Sequence, residues 1–250
     1  MPGAAAANCC RGLALCCGLA LPLAAGLAAE AQTRGEVMSA RLIQPTDRYD
    51  HGVLGDALEW GGLALTVRPC PDCAKTTLTI TLPDTRVFED VEARLADLDG
   101  DGRAEVLVVE TDLTLGASLA IYDATGKVAA TPHIGQTHRW LAPAGWGDFD
   151  DDGEVEIAYV DRPHLLRELV FLRYRDGRLS EIARIPGLTN HRIGDSTISG
   201  GTRNCGMGDE LILADARWQR VMALRLNASP RVLGPLRRPR DIERALACRN

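Results

Sequence analysis

Two short segments of the chain carry acidic residues at nearly every second position. Residues 97–105 read Asp-Leu-Asp-Gly-Asp-Gly-Arg-Ala-Glu, and residues 148–156 read Asp-Phe-Asp-Asp-Asp-Gly-Glu-Val-Glu. Alternate aspartates in a tight turn direct several carboxylates toward one point, and Ca²⁺ takes about six to eight such oxygen ligands. Gly102 and Gly153 follow the third aspartate of the pattern, where the backbone must turn sharply. The spacing therefore predicts two Ca²⁺ sites.

Each loop offers five candidate ligands, four through side-chain carboxylates and one through a backbone carbonyl. The predicted metal ligands are Asp97, Asp99, Asp101, Arg103 and Glu105 in the first loop, and Asp148, Asp150, Asp152, Glu154 and Glu156 in the second. Arg103 and Glu154 are expected to contribute their carbonyl oxygens. An EF-hand is excluded because it requires a glutamate at the twelfth position, where Val108 and Tyr159 stand inside apolar runs. Mg²⁺ fits less well, since it prefers a rigid octahedron and retains its waters.

The negative charge of the chain is concentrated in these two loops. They hold ten carboxylates and one arginine, a charge of −9, while the whole chain carries −6, so the remaining residues carry +3. Clustered carboxylates without a compensating cation repel one another, and a divalent ion relieves that repulsion. The charge pattern therefore favours metal loops over a generally acidic surface.

The two loops belong to a longer internal repeat. Residues 96–109 and 147–160 align at an offset of 51 residues, a degenerate third copy spans 199–215, and a fainter copy lies at 51–67. An apolar strand follows the loop in each copy, and turns such as Arg-Asp-Gly separate the next strands. This pattern predicts an all-β fold, a small β-propeller built of about four blades of about 50 residues each, with a β-sandwich as the alternative. Residues 37–43 are predicted to pair with the last blade and close the ring.

The motifs at 96–102 and 147–153 resemble the calcium loops of FG-GAP/VCBS repeat proteins, which include the integrin α-subunit propeller and many exported bacterial proteins. The resemblance extends over about residues 47–226, and the two loops are its specific part. It implies a propeller in which Ca²⁺ braces each blade that keeps the motif. The chain departs from that pattern because it has about four recognisable units, two of which lack the acidic ligands.

The ends of the chain predict an exported protein with three parts. Residues 1–31 combine one early arginine, an apolar stretch interrupted by proline and an Ala-x-Ala end, which together are typical of a cleaved secretory signal peptide. Residues 32–230 are predicted to form the propeller, and residues 231–250 a basic, solvated C-terminal tail. No other apolar run is long enough to span a membrane. A periplasmic or secreted location is therefore expected.

Four cysteines lie outside the predicted signal peptide, an even number that favours disulfides in an exported chain. Cys70 and Cys73 are predicted to pair across a hairpin loop. Cys205 would then pair with Cys248 and tie the tail to the degenerate third loop. A redox-active Cys-x-x-Cys pair and a four-cysteine zinc site are the alternatives.

Two hypotheses about function follow from these patterns. In the first, the chain is a monomeric, non-catalytic interaction or structural module that binds a protein or glycan partner and no nucleic acid. In the second, it is a propeller-fold periplasmic hydrolase or lyase whose site lies at the channel mouth. His51, His138 and His191 recur near the starts of repeats and are the candidate residues for that site. Clustering of these histidines with carboxylates at one channel mouth would favour the second hypothesis, whereas their burial between blades would favour the first.

Overall fold

The computed structural model describes residues 35–56 and 58–249, and within them the fold is all-β, as predicted. The predicted signal peptide, residues 1–31, lies outside the described residues. The strands and the one helix of the described part are β1 (Glu36–Thr46), β2 (Glu59–Arg68), β3 (Thr76–Thr81), β4 (Arg86–Phe88), β5 (Arg94–Ala96), β6 (Glu105–Asp112), β7 (Gly116–Asp123), β8 (Gly126–Ala130), β9 (Leu141–Gly147), β10 (Glu156–Asp161), β11 (Glu168–Arg175), β12 (Arg178–Pro186), β13 (Leu188–Thr189), β14 (Gly201–Asn204), β15 (Asp209–Asp215), β16 (Arg220–Arg225), β17 (Ala228–Pro235) and α1 (Pro239–Leu246).

The strands form three antiparallel sheets in the described part of the chain. The first runs in the order β1-β2-β4-β6-β7-β8, with β3 paired to β2 and β5 paired to β6. The second runs β12-β11-β10-β9, and the third runs β13-β15-β16-β17, with β14 paired to β15. Across these described residues each sheet is open and does not close on itself.

Three four-stranded units repeat along the chain, namely β5–β8, β9–β12 and β14–β17. The second, third and fourth strands of the first two units are joined by short turns, as the sequence predicts. Gly126 at one turn and Asp176 and Gly177 at the other have positive φ angles of 122°, 52° and 72°, the region that asparagine, aspartate and glycine tolerate best. The repeat offset in the sequence therefore corresponds to a repeated strand meander.

The leading strand of each unit is interrupted or bulged at an equivalent place. β4 and β5 both pair with β6, and residues 89–93 separate them. β13 and β14 both pair with β15, and residues 190–200 separate them. β9 is continuous, but its register with β10 shifts between Ala158 and Tyr159, beside Gly145 with φ 150°. The three interruptions face one another across a cavity of about 750 Å³ lined by residues 91–94, 143–146 and 196–202.

The prediction for residues 37–43 is wrong. They lie in β1, which pairs along its length with β2, from Glu36 opposite Arg68 to Thr46 opposite Glu59. β1 is therefore an edge strand of the first sheet and makes no pairing with the last unit. Its apolar residues explain this placement, because Val37 is buried in the same cluster as Leu63 and Leu65 of β2.

The core fills the spaces between successive sheets. One cluster joins Leu107 and Ile121 of the first sheet to Leu141, Ile157 and Leu172 of the second. Another cluster joins the second and third sheets and consists of Ala144, Phe149, Ala158, Val160, Leu169, Phe171, Leu188, Leu211, Leu213 and Leu224. The middle strands β6, β10 and β15 are buried on both faces, so they read as continuous apolar runs in the sequence.

The C-terminal segment is ordered structure, so the prediction of a solvated tail for residues 231–250 is wrong over most of its length. The boundary predicted at residue 230 falls inside β17. The following helix α1 buries Ile242 and Ala245 against the third sheet, in a cluster with Ile212 and Val221. Its arginines lie on the exposed face, which is why the segment looks like a solvated basic tail in the sequence. No helix in the described residues is both long and apolar enough to cross a membrane.

Candidate functional site

The first acidic loop (residues 97–105) connects β5 to β6 and is folded around its own carboxylates. The amides of Gly100 and Gly102 donate to the two carboxylate oxygens of Asp97, at 2.9 and 3.0 Å. The amide of Asp101 donates to Asp99 Oδ1 at 3.2 Å. Gly102 has φ 82°, which lets the turn close after the third aspartate. The aspartate spacing thus produces a tight turn with its carboxylates on the inside.

Three carboxylates of the first acidic loop converge. Asp97, Asp99 and Asp101 each place a ligand oxygen within 4.8 Å of the others. Glu105 is buried and accepts a hydrogen bond from the amide of Leu98 at 2.9 Å. Burial raises the pKa of Glu105 to about 7, and the nearby aspartates add to the effect. The guanidinium of Arg103 contacts Asp101 at 2.8 Å. The predicted metal ligand at this residue is therefore its backbone carbonyl.

The second acidic loop (residues 148–156) connects β9 to β10 with a similar hydrogen-bond pattern. The amides of Asp152 and Gly153 donate to the two oxygens of Asp148, at 3.1 and 2.9 Å. The amide of Phe149 donates to Glu156 at 2.9 Å, as Leu98 does to Glu105. The bonds from Gly102 and Gly153 and those to the two glutamates are equivalent, whereas the other donor to the first aspartate is the fourth residue of the first loop and the fifth residue of the second. The two loops therefore share most of one backbone arrangement.

The carboxylates of the second acidic loop divide into two groups. Asp148, Asp150 and Glu156 place ligand oxygens within 4.8 Å of one another. Asp152 and Glu154 instead contact the guanidinium of Arg173, each at 2.9 Å.

Arg173 on β11 pairs with the carboxylates of the second acidic loop and was not among the predicted site residues. Besides Asp152 and Glu154, it contacts Asp150 at 3.6 Å and forms an ion pair with the buried Glu156. Arg175 also pairs with Glu154, and Arg225 pairs with Asp151. The expectation of uncompensated carboxylates is therefore wrong for the second acidic loop. Knowledge of the strand register would have revealed Arg173, because it lies directly opposite Glu156.

Beside the first acidic loop, the position that corresponds to Arg173 holds an aspartate. Val106 pairs with Tyr122, so the register of β6 and β7 places Asp123 opposite Glu105, where Arg173 stands opposite Glu156. The first acidic loop is thus paired only with its own Arg103 among the described residues, and its negative charge is the less compensated of the two.

Both loops offer the chemistry that Ca²⁺ requires. Their converging atoms are carboxylate oxygens, the hard ligands of Ca²⁺. The converging aspartates are exposed in the first loop, whereas in the second Asp148 and Asp150 are half-buried and Glu156 is buried. The loops also border a common cavity of about 340 Å³ that includes Asp99, Asp101, Glu154 and Arg173. The donor set therefore fits a hard divalent cation at each loop.

The third unit has no equivalent acidic set among its described residues. Its short loop between β14 and β15 carries Cys205, which forms a disulfide with Cys248 beyond α1. The glutamate equivalent to Glu105 and Glu156 is Glu210, which is held by Arg203 at 2.9 Å and by Arg231. In the third unit, a disulfide and two arginines thus stand where the first two units have an acidic loop.

Both predicted disulfides are present. Cys70 and Cys73 are joined in the turn between β2 and β3, where the amide of Cys73 donates to the carbonyl of Cys70 at 3.0 Å. With Cys205 bonded to Cys248, the four cysteines are paired two by two and do not form the alternative zinc site.

The histidines that recur at repeat starts lie together. His51 stacks on His138, with ring centroids 5.1 Å apart, and its Nδ1 lies 2.5 Å from the buried Glu89. His191 is buried and lies 5.1 Å from His164, ring centroid to centroid. His138 contacts the exposed Asp50 at 2.8 Å. The structure therefore places His51 and His138 beside carboxylates, as the second hypothesis requires. His191 instead is buried and bonds to the backbone carbonyl of Asp195 and to His164, as the first hypothesis requires. His164 and Glu89 join this cluster and were not among the predicted residues.

Comparison with known proteins supports the repeat assignment. A family model described as an FG-GAP-like repeat matches residues 93–159, a segment that contains both acidic loops. Searches of curated proteins and of solved structures return no match. The chain thus contains an FG-GAP-like repeat at residues 93–159, which confirms the FG-GAP part of the resemblance for this segment.

Proposed function

We propose that the chain is an exported β-propeller-type interaction module whose first two repeat units are braced by Ca²⁺. The observation that carries the proposal is the pair of equivalent acidic loops inside a segment that matches an FG-GAP-like repeat. Such repeats suggest propeller-like modules that act by binding rather than by chemistry. The two loops hold the strand connections β5–β6 and β9–β10, where an ion would fix each turn against its strand.

The arrangement of the leading strands supports a propeller. In a propeller the first strand of every blade lines a central channel. Here the start of β5 with the residues before it, β9, and the start of β14 with the residues before it border one cavity of about 750 Å³. At its edge the side chain of Thr202 donates to the carbonyl of Trp146 at 2.7 Å. Sheets that pack through continuous apolar clusters, with leading strands inward, are the radial arrangement that the repeat predicts.

Calcium is proposed as the resident ion of both loops. The first acidic loop would hold it with Asp97, Asp99 and Asp101, and the second with Asp148, Asp150 and Glu156. The ion would supply positive charge and coordination to groups that otherwise repel one another. Its role is structural, since the loops lie at turns and carry no nucleophile.

Thermal unfolding in the presence and absence of Ca²⁺ tests this proposal. An ion that binds only the native state at one hundred times its Kd adds about 2.7 kcal/mol per site. For a domain of this size that corresponds to a rise in Tm of about 5–10 °C per site. We expect the Tm to fall by that order when EGTA replaces Ca²⁺, and Mg²⁺ to restore little of it. An unchanged Tm in EGTA would contradict the proposal.

Export is the second part of the proposal. Two disulfides are compatible with an oxidising, extracellular compartment, and residues 1–31 have the composition of a secretory signal. Fusion of residues 1–40 to a reporter enzyme that is active only after export tests this directly. Reporter activity is expected from the fusion and not from a version that begins at residue 32. Equal activity of the two would contradict export.

The partner of the module is proposed to be a protein or a glycan. Binding of the calcium-loaded chain to arrayed glycans and to purified envelope proteins would identify the class. Because Ca²⁺ braces the presenting turns, we expect EGTA to abolish that binding. Partner binding that EGTA leaves unchanged would show that recognition does not depend on Ca²⁺ in the acidic loops.

A further inference from the structure

A second cavity lies at the opposite end of the leading strands from the acidic loops. β9 begins directly after Arg139 and Trp140, and it ends directly before Asp148. Its seven residues separate the two ends by roughly 20 Å. The cavity has a volume of about 300 Å³ and is lined on its polar side by His51, Arg139 and His164. It is therefore a separate feature of the fold from the proposed calcium sites.

His51 is held in one orientation by a buried carboxylate. Glu89 is fully buried, receives a hydrogen bond from Thr111 Oγ1 at 2.7 Å, and lies 2.5 Å from His51 Nδ1. That contact leaves Nε2 of His51 without a hydrogen-bond partner among the described residues. A ring nitrogen fixed in this way is available to a ligand in the cavity.

His164 is oriented by a chain of hydrogen bonds. The carbonyl of Asp195 can only accept, so His191 Nε2, 2.8 Å away, must donate to it. Neutral His191 then accepts at Nδ1 from His164 Nε2, at 2.9 Å. Burial lowers the pKa of His164 to about 4, with the neighbouring histidines adding to the effect, and burial also lowers the pKa of His191. Both rings are therefore neutral near pH 7, and Nδ1 of His164 is left free.

The available cation of the cavity is Arg139. Its guanidinium hydrogen-bonds the carbonyl of His138 at 2.9 Å and has no carboxylate within ion-pair distance in the part of the chain that the structure describes. Arg162, the other arginine of the lining, is already paired with Asp161 through two hydrogen bonds. No carboxylate is among the lining residues, and within the described residues the lining histidines do not form a set of three converging metal ligands. The polar side of the cavity thus favours an anion over a metal cation.

The rim of the cavity is apolar. Leu165 and Ile193 line it and are 63% and 72% exposed, values that are high for large aliphatic side chains. Their exposure beside a cavity provides apolar surface that a ligand could cover. The indole of Trp140 forms the inner wall and donates through Nε1 to the carbonyl of Glu89 at 2.9 Å. Its position is therefore fixed.

We propose that this cavity binds a small organic anion, a carboxylate or phosphate monoester on an apolar or aromatic body. The oxyanion would accept from the guanidinium of Arg139 and from Nε2 of His51. Nε2 carries a hydrogen when the proton between His51 Nδ1 and Glu89 lies on the carboxyl group, or when both ring nitrogens are protonated. The apolar body would lie against Trp140, Leu165 and Ile193. Apolar cavities with a few convergent polar groups are the usual form of small-molecule sites. This site goes beyond the proposed module function and does not require the calcium loops.

Titration of the intact, disulfide-bonded chain with benzoate and with phenyl phosphate tests the proposal. Binding is followed by NMR through the indole N–H of Trp140 and the ring protons of His51 and His164. Saturable shifts at these residues are expected with both aromatic anions, and the tighter of the two identifies the preferred oxyanion. Acetate and inorganic phosphate, which lack the apolar body, are expected to bind at least tenfold more weakly.

Two variants and a matched control assign the contacts. Arg139→Ala removes a charge-assisted contact and is expected to weaken binding about tenfold or more. His51→Gln keeps a donor toward Glu89 and is expected to weaken binding as well, without loss of the fold. Arg192→Ala removes an arginine that stacks on Trp218, outside the cavity, and should leave affinity unchanged.

Three results would overturn the inference. Benzyl alcohol binding as tightly as benzoate would show that the site does not select an anion. Unchanged affinity in Arg139→Ala would remove the proposed cation. An absence of saturable shifts with every aromatic anion would leave the cavity without this ligand class. Each titration is run with and without Ca²⁺, so that failure of the calcium loops and failure of this site are seen separately.

Discussion

Arg173 is expected to weaken Ca²⁺ binding to the second acidic loop and to stabilise that loop without the ion. Its guanidinium contacts Asp152 and Glu154 at 2.9 Å and also pairs with the buried Glu156. An arriving ion must share these carboxylates with a cation that is already there. The substitution Arg173→Gln removes that charge and keeps a polar side chain of similar reach.

The expected change in Ca²⁺ affinity follows from Coulomb's law. A divalent ion roughly 5 Å from the guanidinium is repelled by about 1.7 kcal/mol in the dielectric of bulk water, and by more in a partly buried loop. Loss of Arg173 should therefore tighten the second site by about tenfold or more. Without Ca²⁺ the same change leaves Glu156 buried and unpaired, which should lower the free energy of unfolding by about 2–3 kcal/mol.

Calorimetric titration and thermal unfolding of the variant check both halves of this prediction. We expect a lower Tm than the parent in EGTA and a larger gain in Tm on adding Ca²⁺. Arg184→Gln is the matched control, because Arg184 contacts Asp161, Glu168 and Glu181 on the same sheet and none of the loop carboxylates. Weaker calcium binding in Arg173→Gln than in the control would refute the reasoning, since Arg173 would then be organising the site instead of competing for it.

Three further changes have expected outcomes. Asp99→Asn should abolish one of two calcium sites in a calorimetric titration and leave the other intact, whereas loss of both would show that the loops are one site. Replacing Cys205 and Cys248 by serine removes a disulfide between residues 43 apart. This change should lower the free energy of unfolding, measured in urea, by about 2–4 kcal/mol and change Ca²⁺ binding little. Glu59 is buried, and burial with the nearby carboxylates raises its pKa to about 9. Its folded state holds a proton that the unfolded state releases above about pH 4.5, so stability falls as pH rises toward 9, and Glu59→Gln should flatten that fall in urea unfolding at pH 5 to 9.

The sequence predicts the repeated parts of the fold well because their signals are local. Strand, turn and loop recur at a fixed offset, and aspartate and glycine at the hairpin turns take the positive φ angles that these residues tolerate. The acidic loops also fold by local hydrogen bonds, such as those from the amides of Gly100 and Gly102 to Asp97. The disulfides were predictable for a related reason, because only one pairing, Cys205 with Cys248, remains among the four cysteines once Cys70 and Cys73 close a short turn.

The errors concern contacts between segments distant in the sequence. Val37 could pair with any apolar strand, and only packing against Leu63 and Leu65 places β1 in the first sheet. Arg173 stands 17 residues from Glu156 and comes to it through the register of β10 and β11. Helix α1 spans only eight residues, with two buried side chains beside Arg240 and Arg244, and so short an apolar pattern does not separate it from a solvated tail.

The central claim is that a Ca²⁺ ion occupies each acidic loop, and an anomalous difference map from crystals grown with Ca²⁺ tests it most directly. We expect two peaks, one among Asp97, Asp99 and Asp101 and one among Asp148, Asp150 and Glu156. Density at neither loop, with Arg173 still bound to Glu156 and the aspartates of the first loop turned to solvent, would contradict it.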